Sequence, residues 1–167
     1  MPFNLDAAIR KIPDFPKKGI LFYDITSILT NPAAFHYCIE KALEIFKDAR
    51  LDAIAAIEAR GFLFASPIAL QRKLPLILLR KKGKLPGETY RKSFSLEYGE
   101  DIIEAHKSDI TKGMNILLID DLIATGGTLK AAIELLSLGG ARVEAIFAII
   151  GLPFLNYMKI LDHFFRL

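Results

Sequence analysis

Two adjacent carboxylates, Asp120 and Asp121, stand just ahead of a run of small and hydroxyl-bearing residues, Ala124-Thr125-Gly126-Gly127-Thr128. Such a loop exposes backbone N–H groups, and where it feeds a helix it adds the positive end of the helix dipole, so its natural ligand is an anion such as phosphate. Carboxylates four to eight residues upstream are badly placed for phosphate but well placed for hydroxyls or a magnesium ion. A sugar phosphate satisfies both ends at once. The elements that must position these groups can be read on either side. The apolar run Met114-Asn115-Ile116-Leu117-Leu118-Ile119 reads as a strand ending at the carboxylates, and Leu129 to Leu136 carries apolar residues at helical spacing until Gly139-Gly140 stops it. In an open parallel sheet, ligands sit at the carboxyl ends of the strands. Neither G-x-G-x-x-G nor G-x-x-x-x-G-K-[ST] is present here, since Thr128 follows Gly126-Gly127 and the nearest lysine is Lys130.

The segment Ile116 to Thr128 resembles, at every position, the phosphoribosyl diphosphate signature of type I phosphoribosyltransferases. Four further pieces follow that family's order and most resemble its adenine-specific members: Phe22-Tyr23-Asp24-Ile25-Thr26, Glu58-Ala59-Arg60-Gly61-Phe62, Arg80 to Gly87, and Ser95-Leu96-Glu97-Tyr98-Gly99. The resemblance runs from Phe15-Pro16 through Leu138. It implies the transfer of a 5-phosphoribosyl group from phosphoribosyl diphosphate to adenine, giving AMP and diphosphate in purine salvage, with magnesium as cofactor and a homodimer as the assembly.

Composition is compatible with that reading. A chain of 167 residues fits one domain and buries roughly 70% of its unfolded surface without a metal or disulfide staple. With 52% hydrophobic residues there is ample material for a core. Cys38 is the single cysteine and lies in a helical pattern, so a buried thiol in a reducing cytoplasm is expected. Apolar runs such as Ala145 to Gly151 fall far short of the ~20 residues of a membrane span. No basic-then-apolar leader opens the chain, and a net charge of +3 is too mild to imply nucleic acid as a partner.

Taken in order, Asn4 caps a short helix through Lys11, and Pro13, Pro16 and Gly19 break the chain before a strand from Ile20 to Thr26 with Phe22 in its core. Asn31-Pro32 opens a helix to about Asp48. Asp52 to Ile57 is a buried strand ending at Glu58-Ala59-Arg60-Gly61, a helix runs from about Phe62 to Arg72, and Pro75 to Leu79 is the next strand. Arg80 to Lys92, with six basic residues, one acid and Gly83, Pro86 and Gly87, is unlike any regular element. Ser93 to Tyr98 and Asp101 to His106 alternate as a hairpin turning at Gly99-Glu100. Ala141 to Ile150 is a strand, Phe154 to Leu161 a helix and His163 to Leu167 a closing strand. The pattern predicts one doubly wound α/β domain over residues 1–167 with a mainly parallel sheet and flanking helices. An N-terminal hood over 1–30 and a mobile loop and hairpin over 81–106 are added to it.

Roles follow residue by residue from the resemblance. The backbone of Ala124 to Thr128, with the hydroxyls of Thr125 and Thr128, holds the 5-phosphate. Asp120 and Asp121 take the 2- and 3-hydroxyls, directly or through magnesium and its waters, with no direct metal ligand otherwise. Arg60 grips the diphosphate, with a strained or cis peptide expected at Ala59-Arg60. Arg80, Lys84 and His106 lie on the diphosphate side, a satisfied strand histidine being the alternative for His106. Lys81, Lys82 and Lys92 supply field rather than contacts. Adenine lies between Phe22 and Leu122, with the main chain of Leu21 and Tyr23 reading its 6-amino edge. Relatives often carry arginine or lysine at the Tyr23 position, a change that a backbone contact survives. Glu97 takes the purine N7 proton, and Tyr98 closes the lid or touches the diphosphate. The apolar Phe62-Leu63-Phe64 is a candidate dimer surface.

Three other readings compete. A family member acting on another nucleobase would share the central loop but not the Phe22 motif or the Glu97 hairpin. A non-catalytic sensor of the sugar diphosphate would need added length. A nucleic-acid binder using Arg80 to Lys92 with Tyr90 and Phe94 leaves Asp120 and Asp121 unexplained.

Overall fold

The computed structural model describes residues 3–96 and 99–165. The chain forms two compact units, Met1–Lys47 and Asp48–Leu167.

In the first unit, helix α1 (Leu5–Ala8) starts at Asn4, whose side chain accepts from Ala7 N at 3.2 Å. It ends well before the expected Lys11. Four residues are too few to hold a helix by themselves, and Arg10–Pro13 instead forms strand β1, antiparallel to β2 (Leu21–Asp24). Strand β2 also stops earlier than its pattern suggested. Asp24 Oδ1 accepts from the N–H and hydroxyl of Thr26, at 3.0 and 2.6 Å, where α2 (Thr26–Leu29) begins. Phe22, expected in the core, is only half-buried, its ring meeting Phe15 edge-on at 5.0 Å, while Ile25 and Ile28 are buried. Helix α3 (Pro32–Ile45) has the expected Asn31 cap and first-turn proline, and buries Ala34, Cys38, Ile39 and Ala42.

The second unit is built on a six-stranded sheet. Its elements in chain order are β3 (Ala53–Ile57), α4 (Gly61–Arg72), β4 (Leu76–Lys81), β5 (Thr89–Leu96), β6 (Gly99–His106), β7 (Asn115–Ile123), α5 (Gly127–Leu138), β8 (Arg142–Gly151) and α6 (Met158–Phe165). The strand order is β5-β6-β4-β3-β7-β8. Strands β4, β3, β7 and β8 run parallel, and β6 and β5 add an antiparallel edge. Every residue of β3 is buried, as a strand covered on both faces requires. Ala53, Ala55 and Ile57 join the core that contains Leu129, Ala132 and Leu136 of α5, while α4 packs on β3 and β7. The expected α/β architecture is therefore present. No helix among the described residues is long and apolar enough to cross a membrane.

Four boundaries differ from expectation, three of them because of a distant partner. Strand β4 continues through Arg80 and Lys81, which pair with Glu104 and Ile103 of β6, so the irregular stretch shrinks to 82–88. Gly99 and Glu100 are strand residues opposite Leu96 and Ser95, not the hairpin turn. Strand β7 carries Asp120 and Asp121 within it and ends at Ile123, because the ladder with β8 continues through Leu122↔Ile150 and Ile123↔Gly151. The expected closing strand is instead the end of α6, whose Leu161 and Phe164 pack on the core. Arg166 and Leu167 lie outside the described residues. Phe64 is fully buried and unavailable to a partner, whereas Leu63 and Leu70 of the same helix are 45% and 80% exposed.

Candidate active site at the strand ends

Successive residues of a strand point to opposite faces, yet the carboxyls of Asp120 and Asp121 stay close enough to act on one another and on Arg60. Asp121, its side chain only 7% exposed, has Oδ2 at 2.9 Å from Arg60 Nε. The two groups are out of hydrogen-bond alignment, so this is a charge contact that leaves the buried oxygen without a formal donor. Asp120 Oδ1 accepts from Asp121 N at 2.8 Å. Burial, followed by the charge of Asp121, pushes the Asp120 carboxyl up to about 8, with the Asp121 N–H and the Arg60 charge opposing. Two carboxyls with one guanidinium make a pocket short of positive charge or hydroxyl donors.

Arg60 reaches this place because Gly61 opens α4 with no side chain. A Cβ there would lie 3.0 Å from the Ile119 carbonyl oxygen and 3.3 Å from Asp120 Cα. A non-proline cis peptide lies at Glu58–Ala59, one residue earlier than expected.

Beyond β7, Ala124 and Thr125 lead to Gly126, whose φ of +85° turns the chain into α5. No side chain caps this helix, so its first N–H groups are left for another acceptor. Asp120 and residues Leu122 to Leu129 line a cavity of about 90 Å³ there. The loop is backed by α6 and the residue just before it: a Cβ on Gly126 would meet Ile160 Cδ1 at 2.9 Å and Tyr157 Cβ at 3.3 Å. Nothing in the sequence pointed to Tyr157 or Ile160.

On the other side of β3, Arg80 directs Nε to Glu58 Oε2 at 3.3 Å and Nη1 to the Lys84 carbonyl at 3.4 Å. Glu58 Oε2 also accepts from Lys81 N at 2.8 Å. Burial pushes the Glu58 carboxyl upward, but the Lys81 N–H and the charges of Arg80 and Lys84 outweigh it and hold the group below its usual range. Lys81, read as field alone, meets Asp101 at 3.4 Å. A cavity of about 180 Å³ brings Glu58, Lys81, Phe94 and Asp101 together with Thr128 of the loop. His106 ends β6 opposite Thr89.

The geometry thus gathers Arg60, Asp120, Asp121, Leu122 and the loop to Thr128 at one end of the sheet, with Arg80 and Lys84 on a neighbouring strand and turn. Leu21, Phe22 and Tyr23 sit together on β2 of the first unit. Glu97 and Tyr98 lie outside the described residues. Sequence reasoning passed over Glu58 as a charge-organising group and over Glu104 entirely. The signal for Glu104 was a lone acid inside the apolar alternation Ile102-Ile103-Glu104-Ala105. Among the described residues, no three histidines, cysteines or carboxylates gather as a metal site.

Residues 24–151 match the family model described as the phosphoribosyl transferase domain. The chain is similar to the adenine phosphoribosyltransferase of Treponema denticola, 62% identical over 94% of this chain and 83% of that protein. Among solved structures, it is similar to the adenine phosphoribosyltransferase of Thermoanaerobacter pseudethanolicus, with a TM-score of 0.91 and 44% identity over 96% of this chain and 93% of that one. It is also similar to the Saccharomyces cerevisiae adenine phosphoribosyltransferase complexed with an imino-altritol bisphosphate and adenine, with a TM-score of 0.87 and 37% identity over 93% and 90% of the two chains.

Proposed function

The chain belongs to the phosphoribosyltransferase family and, within it, to the adenine phosphoribosyltransferases, and from that premise we propose how its residues divide the reaction. It transfers the 5-phosphoribosyl group of phosphoribosyl diphosphate to adenine, giving AMP and diphosphate. The observation that carries the reading is the uncapped start of α5 immediately beyond two carboxylates of which one is buried.

The N–H groups and hydroxyls of Ala124 to Thr128 hold the 5-phosphate, the helix dipole reinforcing them. Asp120 and Asp121 accept from the ribose diol and lend negative potential where the sugar becomes cationic. Arg60, Arg80 and Lys84 take the diphosphate, and His106 and Tyr98 complete that side. Each charge-assisted contact is worth about 1.5–3 kcal/mol. The Phe22 ring stacks on adenine, a contact worth ~1–3 kcal/mol. The main chain of Leu21 and Tyr23 reads the 6-amino edge, where a carbonyl that accepts from an amino group repels an oxo group. Glu97 removes the N7 proton as N9 bonds to C1.

Magnesium suits this donor set. Asp121 Oδ2 is buried without an aligned donor, and burial, followed by the neighbouring Asp121 charge, raises the Asp120 carboxyl, both of which a bound cation would relieve. The carboxylates would hold the ion through water and the substrate's own oxygens, and the ion supplies charge neutralisation on the leaving diphosphate. The protein acts in the cytoplasm as a homodimer, a reading supported by the buried lone thiol of Cys38 and by the exposed Leu63 and Leu70 of α4.

The deciding experiment is incubation with magnesium, phosphoribosyl diphosphate and a panel of bases. AMP from adenine, with no nucleotide from hypoxanthine, guanine or orotate, is expected. Product from an oxopurine at a comparable rate would overturn the adenine assignment.

A further inference from the structure

Glu104 is 1% exposed, yet none of the roles above uses it. It sits in the middle of the antiparallel edge, with Arg80 of β4 opposite on one side and Arg91 of β5 opposite on the other. A buried carboxylate is expensive unless its oxygens are satisfied. Here the satisfaction is divided. Oε1 lies 2.8 Å from Arg91 Nε as a charge contact out of hydrogen-bond alignment, and Oε2 accepts from Gly83 N at 3.0 Å. Arg91 is an exposed side chain, a weak reason to bury its partner. The bond to Gly83 is the informative one.

Gly83 has φ of +78° and belongs to the turn that connects β4 to β5. Three polar contacts from side chains pin the backbone of this turn and its approach: Glu58 accepts from Lys81 N, Glu104 from Gly83 N, and Arg80 donates to the Lys84 carbonyl. The last two flank Lys84. A lysine on a turn is ordinarily solvated and mobile, and its ammonium is a point charge on a flexible stem. Fixing the backbone on both sides of it removes part of the entropy that diphosphate binding would otherwise have to overcome.

We propose that Glu104 is a positioning residue for the transfer, holding the turn through Gly83 so that Lys84 is preset for the diphosphate. The proposal rests on the assignment of Lys84 to that group. It touches neither substrate nor the reacting atoms.

The test is a double-mutant cycle on the full chain, Glu104→Ala crossed with Lys84→Ala, with KM for each substrate, kcat and thermal unfolding measured. Glu104→Ala is expected to raise KM for phosphoribosyl diphosphate by up to about tenfold, the cost of ordering the Lys84 segment only on binding. KM for adenine should stay as it was. In the Lys84→Ala background, the same change should add no further rise, because coupled residues are non-additive. A purely structural Glu104 would raise KM equally in both backgrounds, and that result overturns the proposal alone. If Lys84→Ala by itself leaves KM for the sugar diphosphate unchanged, the Lys84 assignment fails and the proposal falls with it. Glu104→Asp keeps the charge but withdraws the oxygen from Gly83 by one methylene. It carries the same cycle if the alanine variant does not fold, with a smaller rise expected in the wild-type background and none with Lys84→Ala.

Discussion

Arg60 and Asp121 form an ion pair across the gap between the start of α4 and the end of β7, Nε to Oδ2 at 2.9 Å, with the carboxylate buried and the guanidinium about half exposed. The contact runs through Nε, so the two terminal nitrogens of the fork are the atoms assigned to diphosphate oxygens. One residue thereby links the carboxylate assigned to the diol to the group assigned to the leaving diphosphate. Removing Arg60 strands a buried charge. Because the arginine is half in water, the loss should fall below the 3–5 kcal/mol typical of a fully buried pair, at about 1–2 kcal/mol. Arg60→Met is therefore expected to unfold at lower urea and to raise KM for phosphoribosyl diphosphate. Asp121→Asn should raise that KM without the stability loss, and normal turnover in Asp121→Asn would contradict the diol assignment.

Gly61 sets the spacing that permits this pair. A methyl group at position 61 would press on the Ile119 carbonyl at 3.0 Å and on Asp120 Cα at 3.3 Å, both backbone atoms. Gly61→Ala is expected to lose about 1–3 kcal/mol of stability through overpacking. It should also raise KM for the sugar diphosphate. Chemical denaturation and steady-state kinetics on the same preparation check both.

Glu58 gives the stability a pH dependence with a definite sign. Its carboxyl is held below the ordinary value of 4.5, so the folded chain binds fewer protons there than the unfolded chain. The stabilisation is present above that ordinary value and is lost as pH falls through the depressed one. Glu58→Gln lacks this component. Its unfolding midpoint should lie below wild type at neutral pH, and the two curves should converge as the solution is acidified. Parallel curves down the acid limb would show that Glu58 is not held as described.

Glu97, assigned to the N7 proton, should reveal itself in kcat. Glu97→Ala is expected to lower kcat by about 10²–10⁴-fold, the usual contribution of a general base. Affinity for phosphoribosyl diphosphate should be nearly unchanged. An unaltered chemical step in single-turnover kinetics would remove Glu97 from the mechanism.

The exposed leucines of α4 predict an assembly. Sedimentation velocity at micromolar concentration should report a dimer, and Leu70→Glu, which places a charge on an exposed apolar position, should shift it to monomer. A wild-type monomer would exclude the dimer. A variant that stays dimeric would move the interface away from this face.

What the residues declared without help was local. The succession of apolar run, acidic pair, glycine turn and amphipathic helix from Asn115 to Leu138 lies within one stretch of chain, and neighbours in sequence suffice to specify it. The alternation of buried strands and helices that gives the α/β architecture was readable for the same reason. Where an element ends was not. Arg80 and Lys81 look like loop residues until Glu104 and Ile103 of β6 pair with them, and Lys11 looks helical until β2 claims it.

The sequence by itself therefore determined the fold class, the glycine loop and the acidic pair before it, because spacing and residue type decide those within a few turns of chain. Only the tertiary structure decided that Arg60 meets Asp121, that Glu58 gathers Arg80 and Lys81, and that Glu104 grips Gly83. Those partners stand twenty or more residues apart in the chain. A charge announces its presence in a sequence but not its partner, which is chosen by whichever strand the fold lays alongside.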